Sequence, residues 1–366
     1  MIEIPPVLPN LELLHKVGEG GMSTVWKANH LMRDEVVAVK ILNRELTGNQ
    51  EDIELFTSEA RIMSRVDHRG IVKCYELNCY EGTWYYTMEF VDGYNFGSLL
   101  ERKQHLREAD CLLICESIAV ALDYAWNNFG IVHCDIKPEN IMINTDGIVK
   151  LTDLGLCHTY KYLQDVKLDV PDHVMGTPAY ISPEQVYGDV EPDCRSDIYS
   201  LAASLYHLAT GRVIFPGLDS EGMMRSHCSE EAQGHDPRAY RPELSEGFCQ
   251  LLEAMLVKNR DYRIPSWSDI CSMCLNVEQG GAFKPRKEGF SSSIKLTASL
   301  NACAAQTADT SAEPPRAPKK NLVTKLFRSA VSRRKIEKDP VTGKAVLKKK
   351  SAAVNPKFKI HRPADW

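Results

Sequence analysis

The stretch Ile131-Val132-His133-Cys134-Asp135-Ile136-Lys137-Pro138-Glu139-Asn140-Ile141-Met142-Ile143 sets polar side chains between two apolar runs. Ile131-Val132 and Ile141-Met142-Ile143 have the β-branched, apolar composition of buried strands. A loop held at both ends in this way is rigid, and it brings a carboxylate, an ammonium and an amide to one place. Asp135 suits acceptance of a proton from a hydroxyl, Lys137 suits a transferring phosphoryl group, and Asn140 suits a metal ion.

Downstream, Val149-Lys150-Leu151-Thr152-Asp153-Leu154-Gly155 reads as a strand ending in an aspartate. Facing Asn140, Asp153 supplies the hard oxygen that Mg²⁺ prefers. Turn chemistry explains an Asp-Leu-Gly by itself, but not its place in an ordered set. Upstream, Gly18-Glu19-Gly20-Gly21-Met22-Ser23-Thr24-Val25 lies between two strand-like runs. Glycines there let backbone amides approach phosphate oxygens, although an ordinary hairpin turn uses the same residues. Val25-Trp26-Lys27-Ala28 continues as strand rather than helix, which disfavours a dinucleotide-binding fold. Lys40 sits near the end of the apolar run Val36-Val37-Ala38-Val39-Lys40-Ile41-Leu42, where a charge needs a partner. Residues 51–66 place Ile53, Phe56, Ala60 and Met63 at helical spacing, with Glu59 on the same inward face. The economical reading is a Lys40–Glu59 ion pair that aims the ammonium at a phosphate.

The remainder of the 366 residues frames these motifs. Up to Glu89 the pattern is mainly strand-like; from 98 to 278 it is mostly helical. Leu112, Cys115, Ile118, Ala119 and Leu122 mark one core helix and residues 197–209 another. Most of the 12 cysteines fall inside apolar runs, as reduced core thiols do. Cys271 and Cys274 have no second pair nearby, so shared packing suits them better than zinc. No run approaches the roughly 20 apolar residues of a membrane span, and the start lacks the pattern of a signal peptide. A cytoplasmic location is the expectation. The net charge of −5 hides an asymmetry: from residue 284 onward 20 Lys and Arg face only 6 Asp and Glu. An acidic body carries a basic tail.

Taken in order, the motifs resemble those of the protein kinase superfamily, specifically the bacterial serine/threonine kinases of eukaryotic type. The resemblance covers residues 11–275, roughly three quarters of the chain. It implies an α+β, bilobal fold. A small antiparallel sheet lobe with one regulatory helix would span 1–90, a larger helical lobe 91–278, and a basic, largely disordered tail 279–366. It implies ATP in the cleft with Mg²⁺, or Mn²⁺ in its place. Asp135 would be the catalytic base, with Lys137 beside it; Lys40 would anchor phosphate and Glu59 would be its partner. Asn140 and Asp153 would hold the metal. Gly18, Gly20, Gly21 and Ser23 belong to the loop over the phosphates. Val25, Ala38 and Met142 would sandwich adenine, Met88 would be the gatekeeper, and Glu89 and Val91 would offer backbone hydrogen bonds. Gly176-Thr177-Pro178-Ala179-Tyr180-Ile181-Ser182-Pro183-Glu184 matches the close of an activation segment, with Ser182 where alanine is usual. Glu184 would pair with Arg263, and Asp197 would brace the catalytic loop. Lys137-Pro138-Glu139 and Thr177 fit the serine/threonine class and protein substrates. A pseudokinase scaffold would be favoured by loss of Lys40, Asp135 or Asp153, and all are present.

Two features depart from the pattern. Cys134 stands where most relatives carry an arginine that receives a loop phosphate. Between Gly155 and Gly176 the hydroxyl-bearing residues are Thr159, Tyr160 and Tyr162, all near the start. Together they predict that mid-loop phosphorylation is not the switch. Cys134 beside the base also suggests a redox sensor, against the plainer reading of a small residue filling a vacated site. In the tail, Leu322, Val323, Leu326, Phe327, Ala330 and Val331 share one face of an amphipathic helix over 321–335. Such a tail can meet an anionic surface (membrane, nucleic acid, or the acidic kinase body) or remain a solvated tether. Its hydroxyls make it an autophosphorylation target.

Overall fold

The computed structural model describes residues 6–154, 158–159, 176–188, 190–281, 291–296, 337–338 and 345–346. The first part is a five-stranded antiparallel sheet built from β1 (Leu11–Glu19), β2 (Ser23–His30), β3 (Glu35–Leu42), β4 (Cys74–Tyr80) and β5 (Thr83–Glu89). Their order across the sheet is β1-β2-β3-β5-β4. The apolar run around Lys40 becomes β3, the central strand, buried along Val37–Ile41 apart from Lys40 itself. One helix, α1 (Gln50–Met63), packs on the sheet. Asn49 caps it by accepting the Glu51 N–H, and Phe56, Ala60 and Met63 turn inward. Regular helix ends three residues before the expected 66. The chain tightens there into three-residue turns, with Arg65 N–H on the Ile62 carbonyl and Val66 N–H on that of Met63.

β6 (Gly93–Asn95) and α2 (Phe96–Lys103) lead into the helical part. The expected core helix is α3 (Glu108–Phe129), whose Cys111, Cys115, Ile118 and Leu122 are buried. It stops at Gly130, where φ is 63° and a left-handed cap suits glycine. Short strands follow: β7 (Ile131–Val132), β8 (Ile141–Asn144), β9 (Val149–Leu151) and β10 (His158–Thr159). β6, β8 and β9 form one small sheet, and β7 pairs with β10. Then come α4 (Pro183–Tyr187), α5 (Cys194–Thr210), α6 (Ser220–Cys228), α7 (Glu246–Met255) and α8 (Trp267–Glu278). α5 begins three residues earlier than expected because Asp193 caps it through the Arg195 N–H. Nearly all of α5 is buried, so it is the axis of this lobe. Cys274 joins the core around it, and Cys271 packs at its edge.

Residues 291–296, which the sequence reading assigned to the tail, also lie against the helical lobe and bury Ser293 and Ile294. In the C-terminal unit, β11 (Glu337–Lys338) pairs antiparallel with β12 (Ala345–Val346). The helix expected over 321–335 lies outside the described residues. Among the described residues no helix is long and apolar enough to cross a membrane.

Candidate active site

Sheet register places Lys40 beside Val25 on one flank and Tyr86 on the other. Its ammonium lies 2.8 and 3.0 Å from the two Glu59 oxygens and 2.8 Å from Asp153 Oδ1. Burial alone would strip the Lys40 charge; Asp153 and Glu59 outweigh it and hold the pKa well above the usual lysine value. Burial likewise raises the Asp153 carboxyl, and Lys40 reverses that, leaving it below its ordinary value. Burial raises the Glu59 carboxyl, with Lys40 opposing it and Asp153 adding to it; the three groups, from β3, α1 and just after β9, form one hydrogen-bonded knot.

The loop after β7 is held by α5. Asp197, 1% exposed, accepts the His133 N–H at 2.7 Å and the Cys134 N–H at 2.8 Å. Burial pushes this carboxyl up to about 7, with those two N–H bonds opposing. The bonds hold Cys134 in the left-handed region, φ 66°, a conformation that costs a non-glycine residue about 1–3 kcal/mol. Asp153 has the same strain, φ 60°. His133 bridges the two segments, with its Nε2 3.0 Å from the Thr152 carbonyl and its Nδ1 accepting the Asp135 N–H at 3.3 Å. Burial lowers its pKa, so the ring is neutral.

Around Asp135 the donors converge. Lys137 Nζ lies 2.6 Å from Oδ2, and Thr177 Oγ1 donates to Oδ1 at 2.6 Å. Lys137 also reaches Thr177 Oγ1 at 2.9 Å. The Asn140 amide donates to the Asp135 carbonyl at 2.9 Å, which turns its carbonyl end to other duty. Asn140 and Asp153 are a pair of oxygen donors rather than a cage. Among the described residues no group of three or more His, Cys, Asp or Glu could hold a metal. Such a pair fits Mg²⁺, which takes one or two protein oxygens and completes its shell with water and phosphate.

Val25 and Met142 pack on the cluster that contains Ala38, Met88 and Val91. The Glu89 N–H is taken by the Lys73 carbonyl at 2.8 Å, so Glu89 can offer a base only its carbonyl. Its carboxylate is pinned by Lys150 at 2.9 Å. Gly18, Gly20, Gly21 and Ser23 lie in and beside the β1–β2 hairpin turn, which the Gly20 N–H closes on the Ser23 carbonyl at 2.8 Å. A Cβ on Gly18 or Gly20 would meet nothing nearer than 3.5 Å. Their own fold therefore does not demand glycine, whereas a ligand approaching the backbone does.

The activation-segment end is fastened at two points. Glu184 receives Arg263 at 2.7 and 3.0 Å and the Ser196 hydroxyl at 2.7 Å. Although burial raises the Glu184 carboxyl, Arg263 overrides this and lowers it. The second point was not anticipated from sequence. Gln185 Oε1 accepts the Ser182 hydroxyl at 2.9 Å, and its Nε2 donates to the Cys134 carbonyl at 2.8 Å. Its signal was present as Ser182-Pro183-Glu184-Gln185, a capping-box spacing. Cys134 itself is 2% exposed, a poor position for a redox sensor. The side chains of 155–175, including Thr159, lie outside the described residues.

The family model for the protein kinase domain matches residues 11–275, and the chain belongs to this family. The curated relatives it resembles are bacterial serine/threonine-protein kinases. PrkC of Bacillus subtilis is 31% identical over 71% of this chain and 39% of its own length. PknA of Corynebacterium glutamicum is 34% identical over 72% of this chain and 55% of its own. PknA of Mycobacterium tuberculosis is 33% identical over 72% and 60%. The chain therefore spans less than two thirds of these relatives. The antiparallel sheet followed by a helical lobe is the α+β protein kinase fold.

Proposed function

We propose that this chain transfers the γ-phosphoryl group of ATP to serine and threonine hydroxyls of proteins, with Asp135 accepting the hydroxyl proton. The observation that carries the reading is the Asp135 carboxylate set between Lys137 and Thr177, with a hydroxyl already 2.6 Å from it. A substrate hydroxyl entering beside Thr177 would meet the same acceptor, and Lys137 would steady the charge that develops on the phosphoryl oxygens. Lys40, fixed by Glu59, would anchor phosphate under the glycine hairpin. Val25, Ala38, Met88 and Met142 would supply apolar walls for the base, and the Glu89 carbonyl and the Val91 backbone would offer it hydrogen bonds. Asn140 and Asp153 are the groups that would hold Mg²⁺ or Mn²⁺, which when bound neutralises phosphate charge. Positioning and charge neutralisation would account for most of the catalysis. We further infer a cytoplasmic location, with the segment after 296 suited by its basic charge to an anionic surface and by its hydroxyls to autophosphorylation.

Labelled ATP with Mg²⁺ and a generic basic protein tests this, followed by phosphoamino acid analysis. Label on serine and threonine is expected; label on tyrosine alone, or none, overturns the reading. Lys40→Met is expected to lower transfer by about 10²-fold or more. Equal rates from both chains would remove Lys40 from phosphate binding.

Mid-loop phosphorylation is not the switch in this reading. The Gln185–Cys134 hydrogen bond ties the segment to the catalytic loop where an arginine would otherwise receive a phosphate. Thr159→Ala and phosphatase treatment are each expected to leave transfer unchanged. Gln185→Glu, which sets an acceptor against the Cys134 carbonyl, is expected to slow it by about tenfold. A phosphatase-sensitive chain indifferent to Gln185→Glu would reverse this view.

A further inference from the structure

Residues 291–296 follow the region that matches the family, yet they are fixed to the helical lobe as firmly as an edge strand. The Lys258 N–H donates to the Ser291 carbonyl at 2.9 Å, and the Ser293 N–H to the Leu256 carbonyl at 3.0 Å. On the other side the Gly234 N–H reaches the Ser293 carbonyl at 2.7 Å. Ser293 is 0% and Ile294 1% exposed, the burial of core residues rather than of a tether. Gly234 itself packs tightly on another neighbour: a Cβ there would lie 2.6 Å from Ile214 Cγ2 and 2.8 Å from the Ile214 carbonyl.

What this segment touches leads back to the active site by two routes. The backbone it pairs with, Leu256–Lys258, also holds Arg263. Arg263 Nε donates to the Val257 carbonyl at 2.8 Å and Nη2 to that of Lys258 at 3.0 Å. The same guanidinium grips Glu184. Along the second route, Ser293 Oγ lies 2.5 Å from the Tyr199 hydroxyl, which lies 2.6 Å from His227 Nδ1. Burial pulls His227 down to about 3, so the neutral ring accepts the phenol proton and the phenol oxygen accepts from Ser293. The Tyr199 ring faces the Arg263 guanidinium, 4.9 Å from its centre.

We propose that Ser293, with the segment Ser291–Leu296, is a positioning element for residues 176–188, the segment that carries Thr177 to Asp135. It acts from beneath, through Arg263 and Tyr199 on Glu184, and touches neither nucleotide nor acceptor. The segment lies outside the 11–275 match to the family.

The test uses the full chain and its Ser293→Asp and Ser293→Ala variants, read by amide hydrogen exchange and steady-state kinetics. In Ser293→Asp a buried charge forces the segment off. Exchange at 176–188 is expected to rise about tenfold while that of the sheet, 23–42, stays constant. The kinetic arm rests on the proposed kinase activity. There KM for the protein acceptor is expected to rise about tenfold with kcat and KM for ATP unchanged. A simple loss of folded protein would lower kcat and leave both KM values in place. Faster exchange at 291–296 with 176–188 unaffected overturns the proposal. Should Ser293→Asp fail to fold, Ser293→Ala decides: about threefold faster exchange at 176–188 supports positioning, and no change there refutes it. A response in exchange from a chain that transfers no phosphate would sink the kinase reading and leave this one standing.

Discussion

Asp135→Asn is expected to lower phosphate transfer by about 10²–10⁴-fold, the range for loss of a positioned general base, the role proposed for Asp135, while the protein stays folded. Asparagine keeps an oxygen for the Thr177 hydroxyl, which now lies 2.6 Å from Oδ1, so that link persists. What it cannot do is take a proton. Its amide also sets two N–H groups toward Lys137, whose ammonium lies 2.6 Å from Oδ2 in the native chain. The local cost is about 1 kcal/mol, too little to unfold a domain of this size. Transfer assayed beside a thermal melt separates the two effects. A variant that keeps its activity within threefold would move the base elsewhere, and Glu139, the next carboxylate in the loop, would be examined instead.

Arg263→Leu is expected to destabilise the protein by about 3–5 kcal/mol, the usual cost of breaking one side of a buried ion pair. The Arg263 side chain is 0% exposed, and its loss takes the counter-charge from Glu184, which keeps the Ser196 hydroxyl, and a donor from the carbonyls of Val257, Lys258 and Arg195. In a domain of this length that corresponds to a Tm lower by roughly 10 °C. The pair also sets an acid limit. Because Arg263 holds the Glu184 pKa below its ordinary 4.5, the folded state binds this proton less readily than the unfolded one. Its contribution is therefore complete above the ordinary value and is lost as pH falls through the lowered one. The melting temperature of the wild type should drop more steeply below pH 4.5 than that of Glu184→Gln. Parallel curves would show that the pair carries no acid sensitivity.

The fold was legible where period and composition agreed. Val36–Leu42 could only be a buried strand, and the inward row of α3 could only be a core helix, because each is uniform over its length. The approach of Lys40 to Glu59 was legible for a different reason: a charge in an apolar run calls for its opposite. Gln185 was harder, because a glutamine after a helix start is adequately explained by capping, and only the tertiary fold sets Cys134 in front of its amide. The docking of 291–296 could not be foreseen. Three serines, an isoleucine, a lysine and a leucine have no periodicity, and their burial depends on backbone partners some 35–60 residues away in sequence. Composition describes a segment that brings its own apolar face, but not one that fits a groove made by others.

The closed knot of Lys40, Glu59 and Asp153 bears on how tightly nucleotide can bind. When a binding-competent arrangement is rare, apparent affinity is weakened by its population, so a 1% state costs about a hundredfold in Kd. The knot sets Lys40 at 2.8 Å on both arms, the arrangement that the proposed phosphate site calls for. Substitutions in α1 that loosen Glu59 would introduce that dilution. They would appear first as poorer ATP binding, with the rate at saturation largely kept.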